Sequence, residues 1–233
     1  MQSAFVLHIR PYSESSQLVE IFSHLEGRVS LLVKGSRSRR SSLKGTLQPF
    51  TLLNIEWGGK GQLKYLKQLE AQTHAMPLPG DKLYLGLYLN ELLYRLLEHL
   101  TPYPQLFEVY QECLLALAKA QQYEAILRRF ELKLLQAIGY EIDFQFSADD
   151  YSAISPQQAY CLMPDMGFVA ATTTSPEQQV FMGEAILAWH RLDFSEPVHL
   201  RAAKRFCRQL IAERLGPVPL KSRELFRQFK RSS

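Results

Sequence analysis

The stretch Gly27-Arg28-Val29-Ser30-Leu31-Leu32-Val33-Lys34-Gly35 decides how the first third of the chain is read. Val29, Leu31 and Val33 fall on one side of an extended backbone, because side chains alternate between faces along a strand. The same period returns downstream, where Leu53, Ile55 and Trp57 alternate with Leu52, Asn54 and Glu56. The turn Gly58-Gly59-Lys60-Gly61 leads from there into a further run, Leu63–Leu69. Upstream, Phe5–Ile9 and Leu18–Phe22 are separated by the turn-rich Arg10-Pro11-Tyr12-Ser13-Glu14-Ser15. Five short strands within about 70 residues suit a small closed barrel, for which the OB-fold is the leading five-stranded candidate. An SH3-like barrel fits the same pattern.

Met76-Pro77-Leu78-Pro79-Gly80 reads as a linker, and beyond it the period changes from 2 to 3.6. Leu85, Leu89, Leu92, Leu93, Leu96, Leu97 and Leu100 mark one helix, stopped by Thr101-Pro102-Tyr103-Pro104. Leu106, Tyr110, Cys113, Leu114 and Leu117 mark a second, and Leu127, Phe130, Leu134, Ala137 and Ile138 a third that ends at Gly139. Residues 140–174 break the rhythm and read as an insertion of loops with a short hairpin. Ser175-Pro176-Glu177-Gln178 then predicts a helix start, with Phe181, Ala185, Ala188, Trp189 and Leu192 on one face. A fifth helix is expected from Leu200 to Leu215. The expected architecture is therefore α+β: a barrel over residues 1–78, then a helical domain over 79–233 carrying the insertion at about 140–174.

The 233 residues are 46% hydrophobic and 21% charged, which excludes a mainly disordered or fibrous protein. Cys113, Cys161 and Cys207 are far apart and odd in number, so a disulfide framework is not expected and the thiols fit a reducing cytoplasm. The apolar run Ala4–Ile9 is short and holds His8, unlike a secretion signal. No run approaches the roughly 18 apolar residues of a membrane helix.

The net charge of +4 is unevenly spread. Residues 1–80 hold 10 Lys/Arg against 5 Asp/Glu, and residues 200–233 hold 10 against 2, whereas residues 146–199 hold 1 against 7. Two basic ends around an acidic middle fit a polyanion, nucleic acid being the commonest, or simply a solvated surface. The segment Lys34-Gly35-Ser36-Arg37-Ser38-Arg39-Arg40-Ser41-Ser42-Leu43-Lys44 has five cations and no acid. Such a loop suits a phosphate backbone, since charge neutralisation releases counterions and needs no fixed base geometry. A solvated loop or a nuclear-import signal has the same composition. Arg201, Lys204, Arg205 and Arg208 share one helix face at i, i+3, i+4 and i+7, with Leu200, Ala203, Cys207, Leu210 and Ile211 on another. In the tail, Phe226 and Phe229 are expected to anchor a terminal helix rather than to stack on bases. Arg128-Arg129, beside Phe130, are either salt-bridged to acids such as Glu124 and Glu131 or rim a groove for a peptide that ends in an aromatic residue and a carboxylate.

Catalysis finds little support. Glu141, Asp143, Asp149 and Asp150 are the candidates for a metal-dependent nuclease, but neighbours in a loop are a poor sign of the convergence that two-metal chemistry needs. The chain lacks the Walker, GxGxxG and HExxH patterns, and its six histidines show no metal-ligand spacing. No catalytic residue and no cofactor are expected.

Several segments carry a family resemblance. Ala4-Phe5-Val6-Leu7-His8 with Arg10-Pro11-Tyr12-Ser13-Glu14-Ser15-Ser16, Gly27-Arg28-Val29 with Val33-Lys34-Gly35, and Leu47-Gln48-Pro49-Phe50 resemble the RecO family of bacterial DNA repair proteins. So do Gly86-Leu87-Tyr88-Leu89-Asn90-Glu91-Leu92-Leu93, Leu127-Arg128-Arg129-Phe130-Glu131-Leu132 and Gly139-Tyr140. Arg201-Ala202-Ala203-Lys204-Arg205-Phe206 and Leu220-Lys221-Ser222-Arg223-Glu224-Leu225-Phe226 are similar to the enterobacterial-type branch. The resemblance implies an N-terminal OB-fold, a helical C-terminal domain and a non-enzymatic recombination mediator in the bacterial cytoplasm, associated with the nucleoid and not with a membrane. It implies binding of single- and double-stranded DNA, annealing of complementary strands, and work with RecR to load RecA onto DNA coated by the single-stranded DNA-binding protein, SSB. The family's DNA surface maps onto Lys34, Arg37, Arg39, Arg40 and Lys44, with Lys204, Arg205 and Arg208 added on the helical side. The C-terminal tail of SSB maps onto Arg128 and Arg129. Many members carry a four-cysteine zinc site in the insertion. This chain keeps only Cys161 there, in Tyr160-Cys161-Leu162-Met163, so no metal is expected. An OB-type RNA-binding module is the alternative reading.

Overall fold

The computed structural model describes residues 1–38, 41, 43–163, 166–171 and 179–232, without the side chains of Lys44 and Ser232. The chain divides into two compact units, Met1–Gln121 with Leu215–Ser233, and Gln122–Arg214.

In the first unit, β1 (Gln2–Pro11), β2 (Gln17–Ser23), β3 (Gly27–Val33), β4 (Leu53–Gly58) and β5 (Leu63–Ala71) close into a barrel in the order β1-β2-β3-β5-β4. Every pairing is antiparallel except β3 with β5. A parallel pair needs a crossover connection, and here α1 (Leu43–Thr46) and β4 lie between its two strands in sequence. This five-stranded closed barrel is the OB-fold arrangement expected from the alternating runs. Val29, Leu31 and Val33 point into the interior with Ala4, Val6, Val19, Ile21, Leu53 and Ile55, as their spacing requires.

Ala4-Phe5-Val6-Leu7 is buried throughout, so β1 has no solvent face here. Ala4 and Val6 fill the barrel, while Phe5 lies against Phe107 and Tyr110 of α3 (Pro104–Lys119), at ring separations of 5.4 and 5.1 Å. The ladder between β1 and β2 slips between Val6 and His8. A bulge of this kind leaves backbone groups without ladder partners. Asn90, on α2 (Asp81–Leu96), answers it: its buried amide donates to the Val6 and Leu7 carbonyls at 3.1 and 3.4 Å and accepts from the Tyr110 hydroxyl.

Gly27 opens β3 at φ +69°, and a Cβ there would stand 1.7 Å from the Thr101 carbonyl oxygen. The close approach lets the segment after α2 add to the barrel: Leu100 N donates to Arg28 O at 2.9 Å, and Ser30 N donates to His99 Nε2 at 3.2 Å. Burial holds the His99 imidazole below its ordinary pKa, which keeps the accepting nitrogen unprotonated.

The terminal helix α7 (Lys221–Ser232) also belongs to this unit. Glu91 of α2 caps its start by accepting from Lys221 N, Ser222 N and Ser222 Oγ at 2.9, 2.8 and 2.6 Å. Phe226 and Phe229 lie against Tyr84, giving the anchoring role expected for the two aromatics. By compactness, α2, α3 and α7 group in one unit with the barrel, α7 against α2.

The second unit holds α4 (Glu124–Ala137), a three-stranded sheet in the order β7-β6-β8, α5 (Gly183–His190) and most of α6 (Pro197–Leu215). The insertion forms the β6–β7 hairpin (Ala159–Met163 and Gly167–Ala170), and β8 (Val180–Met182) pairs with the free side of β6. Phe181, expected on a helix face, is instead a strand residue of β8. The proposed start at Ser175-Pro176-Glu177-Gln178 lies outside the described residues. Phe168, Phe181, Trp189 and Phe206 are all buried and in ring contact, and this cluster is the unit's core. Gly139 ends α4 at φ +95°. Among the described residues no helix is long and apolar enough to cross a membrane.

Replacing Gly27 by Ala forces a Cβ into the Thr101 carbonyl and a side chain into left-handed backbone. The loss should be roughly 2 kcal/mol or more. Gly45→Ala, where a Cβ meets nothing within 4 Å, serves as the control. Urea unfolding monitored by circular dichroism should show the Gly27 variant alone shifted to lower denaturant. Equal midpoints would contradict the close-approach argument.

Candidate nucleic-acid interface

The loop that follows β3 is built on short backbone bonds. Ser36 is buried and its hydroxyl donates to Val33 O at 3.0 Å, and Ser38 N donates to Gly35 O at 3.2 Å. Arg37 ties this loop to the β1–β2 turn: its backbone N donates to Ser15 O at 3.1 Å and its guanidinium to Ser13 O. The two loops therefore form one edge of the barrel. Lys34 and Arg37 are exposed on it. Arg39, Arg40 and the Lys44 side chain lie outside the described residues.

The outer face beside this edge carries a row of register partners across the barrel. Arg10 of β1 pairs with Leu18 of β2, Leu18 with Leu32 of β3, Leu32 with Tyr65 of β5, and Tyr65 with Gly58 of β4. Arg10 is exposed, Leu18 and Leu32 are half-buried, and Tyr65 is 49% exposed. Lys60, in the β4–β5 turn, is exposed as well. Lys67 is held by Glu56 at 3.1 Å, which neutralises it locally. Arg10, Lys60 and Tyr65 are not among the candidate residues named from sequence. The signal was present in the outward parity of Leu63, Tyr65 and Lys67, but which strands adjoin them depends on the β3–β5 pairing.

In the second unit, Arg201, Lys204, Arg205 and Arg208 are exposed along α6, while Ala203, Phe206, Cys207 and Leu210 on its other face are buried. Arg205 reaches back over the Phe181 ring at 5.7 Å and donates to Val180 O at 3.4 Å. Its charge stays at the surface but its position is fixed by β8.

Arg128 and Arg129 point to different environments. Arg129 is exposed. Arg128 is buried, 6% exposed, and its Nη2 meets Glu131 Oε1 at 2.7 Å. Cys207 is buried near this pair, and its thiol pKa is pushed well above the ordinary value, first by burial and then by the Glu131 charge. Of the two alternatives read from the sequence, Arg128 takes the salt bridge with Glu131, while Arg129 faces solvent. Consecutive residues lie about 100° apart on a helix, so one faces the core when its neighbour faces solvent. An open groove of about 700 Å³ does exist in this unit. It is lined by Leu132, Lys133, Phe144 and Trp189 with Glu141 and Asp143, and by neither arginine.

Three of the four carboxylates named for a nuclease are occupied as local caps. Asp143 accepts from Gln145 N and Phe146 N, Asp149 from Ser147 Oγ and Asp150 N, and Asp150 from Ser152 N. Among the described residues no group of three His, Cys, Asp or Glu side chains is placed to hold a metal ion. Cys161 is buried in β6, where its register partners are Val169 and Val180.

The chain matches known proteins along nearly its whole length. Residues 1–74 match the family model for the recombination protein O N terminal, and residues 79–224 match that for the recombination protein O C terminal. The chain belongs to the RecO family. It is 50% identical to the DNA repair protein RecO of Tolumonas auensis, over 98% of this chain and 95% of the relative. The corresponding proteins of Yersinia pestis and Aliivibrio salmonicida are 47% and 46% identical, covering 98% and 97% of this chain and 94% of each relative. The RecO models meet between residues 74 and 79, at the proline-rich linker.

The buried pair has a measurable signature. Arg128→Ala strands a carboxylate and should lower stability by about 3–5 kcal/mol. Arg129→Ala should change stability by no more than about 0.5 kcal/mol. Replacing both partners, Arg128→Met with Glu131→Leu, should recover most of the loss. Thermal unfolding of the three variants checks this, and a neutral Arg128→Ala would contradict the inward placement.

Proposed function

We propose that this RecO-family chain is a recombination mediator that acts by binding and not by turnover. The observation that carries the reading is the exposed cationic edge of the barrel, where Arg37 fixes the loop after β3 to the β1–β2 turn beside Lys34. Lys34, Arg37, Arg39, Arg40 and Lys44 hold DNA by its phosphates, on single or double strands, and lower the repulsion between two complementary strands that anneal. Lys204, Arg205 and Arg208 add a second set of cations on α6. Affinity then depends weakly on sequence and falls steeply with salt.

The helical part of the chain takes the C-terminal tail of SSB, which concentrates the mediator on coated DNA by tethering. Arg129 is the exposed cation available to a peptide carboxylate, and Arg128 supports the helix that carries it. With RecR, the complex prepares coated DNA for RecA. This work is placed in the cytoplasm, at the nucleoid.

Annealing of complementary oligonucleotides coated with the cognate SSB tests the reading directly. The parent should anneal them quickly, and SSB lacking its last residues should abolish the advantage. Lys34→Glu with Arg39→Glu and Arg40→Glu should weaken binding to bare DNA and flatten the salt slope by about 2 on a log–log scale, while sparing the SSB tail peptide. Arg129→Glu should do the reverse. Preference for RNA over DNA of equal sequence, with no response to the SSB tail, would contradict the mediator role.

A further inference from the structure

Tyr65 is the one aromatic side chain in the outer-face row that crosses the barrel, and it is both seated on glycine and open to solvent. Its register partner on β4 is Gly58, which offers no side chain. A Cβ built on Gly58 would stand 2.7 Å from the Tyr65 hydroxyl and 2.8 Å from the ring carbon that bears it. A Cβ on Gly59 would come to 3.6 Å from the opposite end of the ring, at Cδ1. The ring therefore lies across the backbone of two consecutive glycines. Tyr65 nevertheless remains 49% exposed, and Leu63, two residues before it on the same face of β5, is 44% exposed. An aromatic seated on glycine and left open to solvent has little role in a core.

The surroundings say what would cover it. Leu32 and Leu18 continue the row as a half-buried apolar floor, and Arg10 ends it. Lys34 follows Leu32 by two residues, and Lys60 lies in the turn that carries Gly58 and Gly59 into β5. A flat apolar ring among exposed cations matches a ligand with a flat apolar face and regularly spaced negative charge. A single-stranded nucleic acid has both, and unpaired bases are what aromatic side chains of OB-type barrels stack upon.

We infer that Tyr65 is a stacking platform for an unpaired base of single-stranded DNA, seated on Gly58 and Gly59, with Arg10, Lys34 and Lys60 taking the flanking phosphates. The inference rests on the proposed DNA-binding role and adds a strand preference to it. Duplex DNA keeps its bases stacked internally, so Tyr65 contributes to single-strand binding and not to duplex binding. Phosphate contacts at the barrel edge serve both.

Fluorescence anisotropy with a labelled oligothymidylate and with a duplex of equal length tests it. Tyr65→Ala should weaken single-strand binding about tenfold. Its salt slope should match the parent's, because no phosphate contact is lost. Duplex affinity should be unchanged, and Tyr65→Phe should restore most of the loss. Gly58→Ala leaves Tyr65 in the sequence but pushes the ring off its seat, and should weaken single-strand binding in the same direction. An oligonucleotide of abasic residues should bind parent and Tyr65→Ala equally.

Equal single-strand affinity of parent and Tyr65→Ala, with Lys34→Glu still impaired, would overturn the platform and leave the DNA-binding role standing. Failure of the parent to bind either DNA would overturn that role itself. Sedimentation that shows self-association lost in Tyr65→Ala, without any change in DNA affinity, would make the face a protein interface and also overturn the platform.

Discussion

The first compact unit depends on one strand being buried on both faces. Ala4 and Val6 close the barrel from inside, and Phe5 and Leu7 take the opposite face, where Phe5 meets Phe107 and Tyr110. A strand of this kind has no solvent side on which to place polar groups, and its bulge would leave carbonyls unsatisfied. Asn90 supplies the missing donor, and Tyr110 in turn donates to Asn90. An unpaired polar group buried here costs about 1–3 kcal/mol, so the barrel and the two helices that follow it are specified together. Gly27 and His99 repeat the arrangement on β3, where the segment after α2 adds its own hydrogen bonds to the barrel.

Fixing the helices to β1 leaves the row through β2, β3 and β5 uncovered at Tyr65, with Arg10, Lys34 and Lys60 exposed along the row and in the loops beside it. Lys34 and Arg37 are exposed, and Arg37 is set by two hydrogen bonds to the neighbouring turn. The second unit uses charge in two ways. Along α6 the cations face solvent above a buried aromatic core, whereas Arg128 and Glu131 are enclosed beside Cys207. A buried pair of this sort makes either partner expensive to remove without making the pair itself a large source of stability.

The barrel was legible in the sequence because β3 and β4 carry a two-residue period, β1 and β2 are short apolar runs, and the turns at Pro11–Ser15 and Gly58–Gly61 divide the strands. The helices were legible from their leucine spacing, and Gly139 marks the end of α4 as its position implied. What escaped is non-local. The pattern of Phe181 fits a helix as well as a three-residue strand, and the strand pairing with β6 decides between them. The return of α7 to the barrel unit rests on Glu91 and Tyr84, more than 120 residues earlier. Arg128 and Arg129 are chemically identical neighbours, so only the direction of the helix core separates the buried one from the exposed one. Tyr65 needed the β3–β5 and β4–β5 registers before its partners Leu32 and Gly58 could be named.

The central claim is that single-stranded DNA lies on the outer face and cationic edge of the barrel. Photo-crosslinking with an oligonucleotide that carries 5-iodouracil, followed by peptide mass spectrometry, tests it most directly. Adducts are expected in the peptides that hold Lys34–Lys44 and Tyr65. Adducts confined to residues 122–214, or to none of the barrel strands, would contradict it.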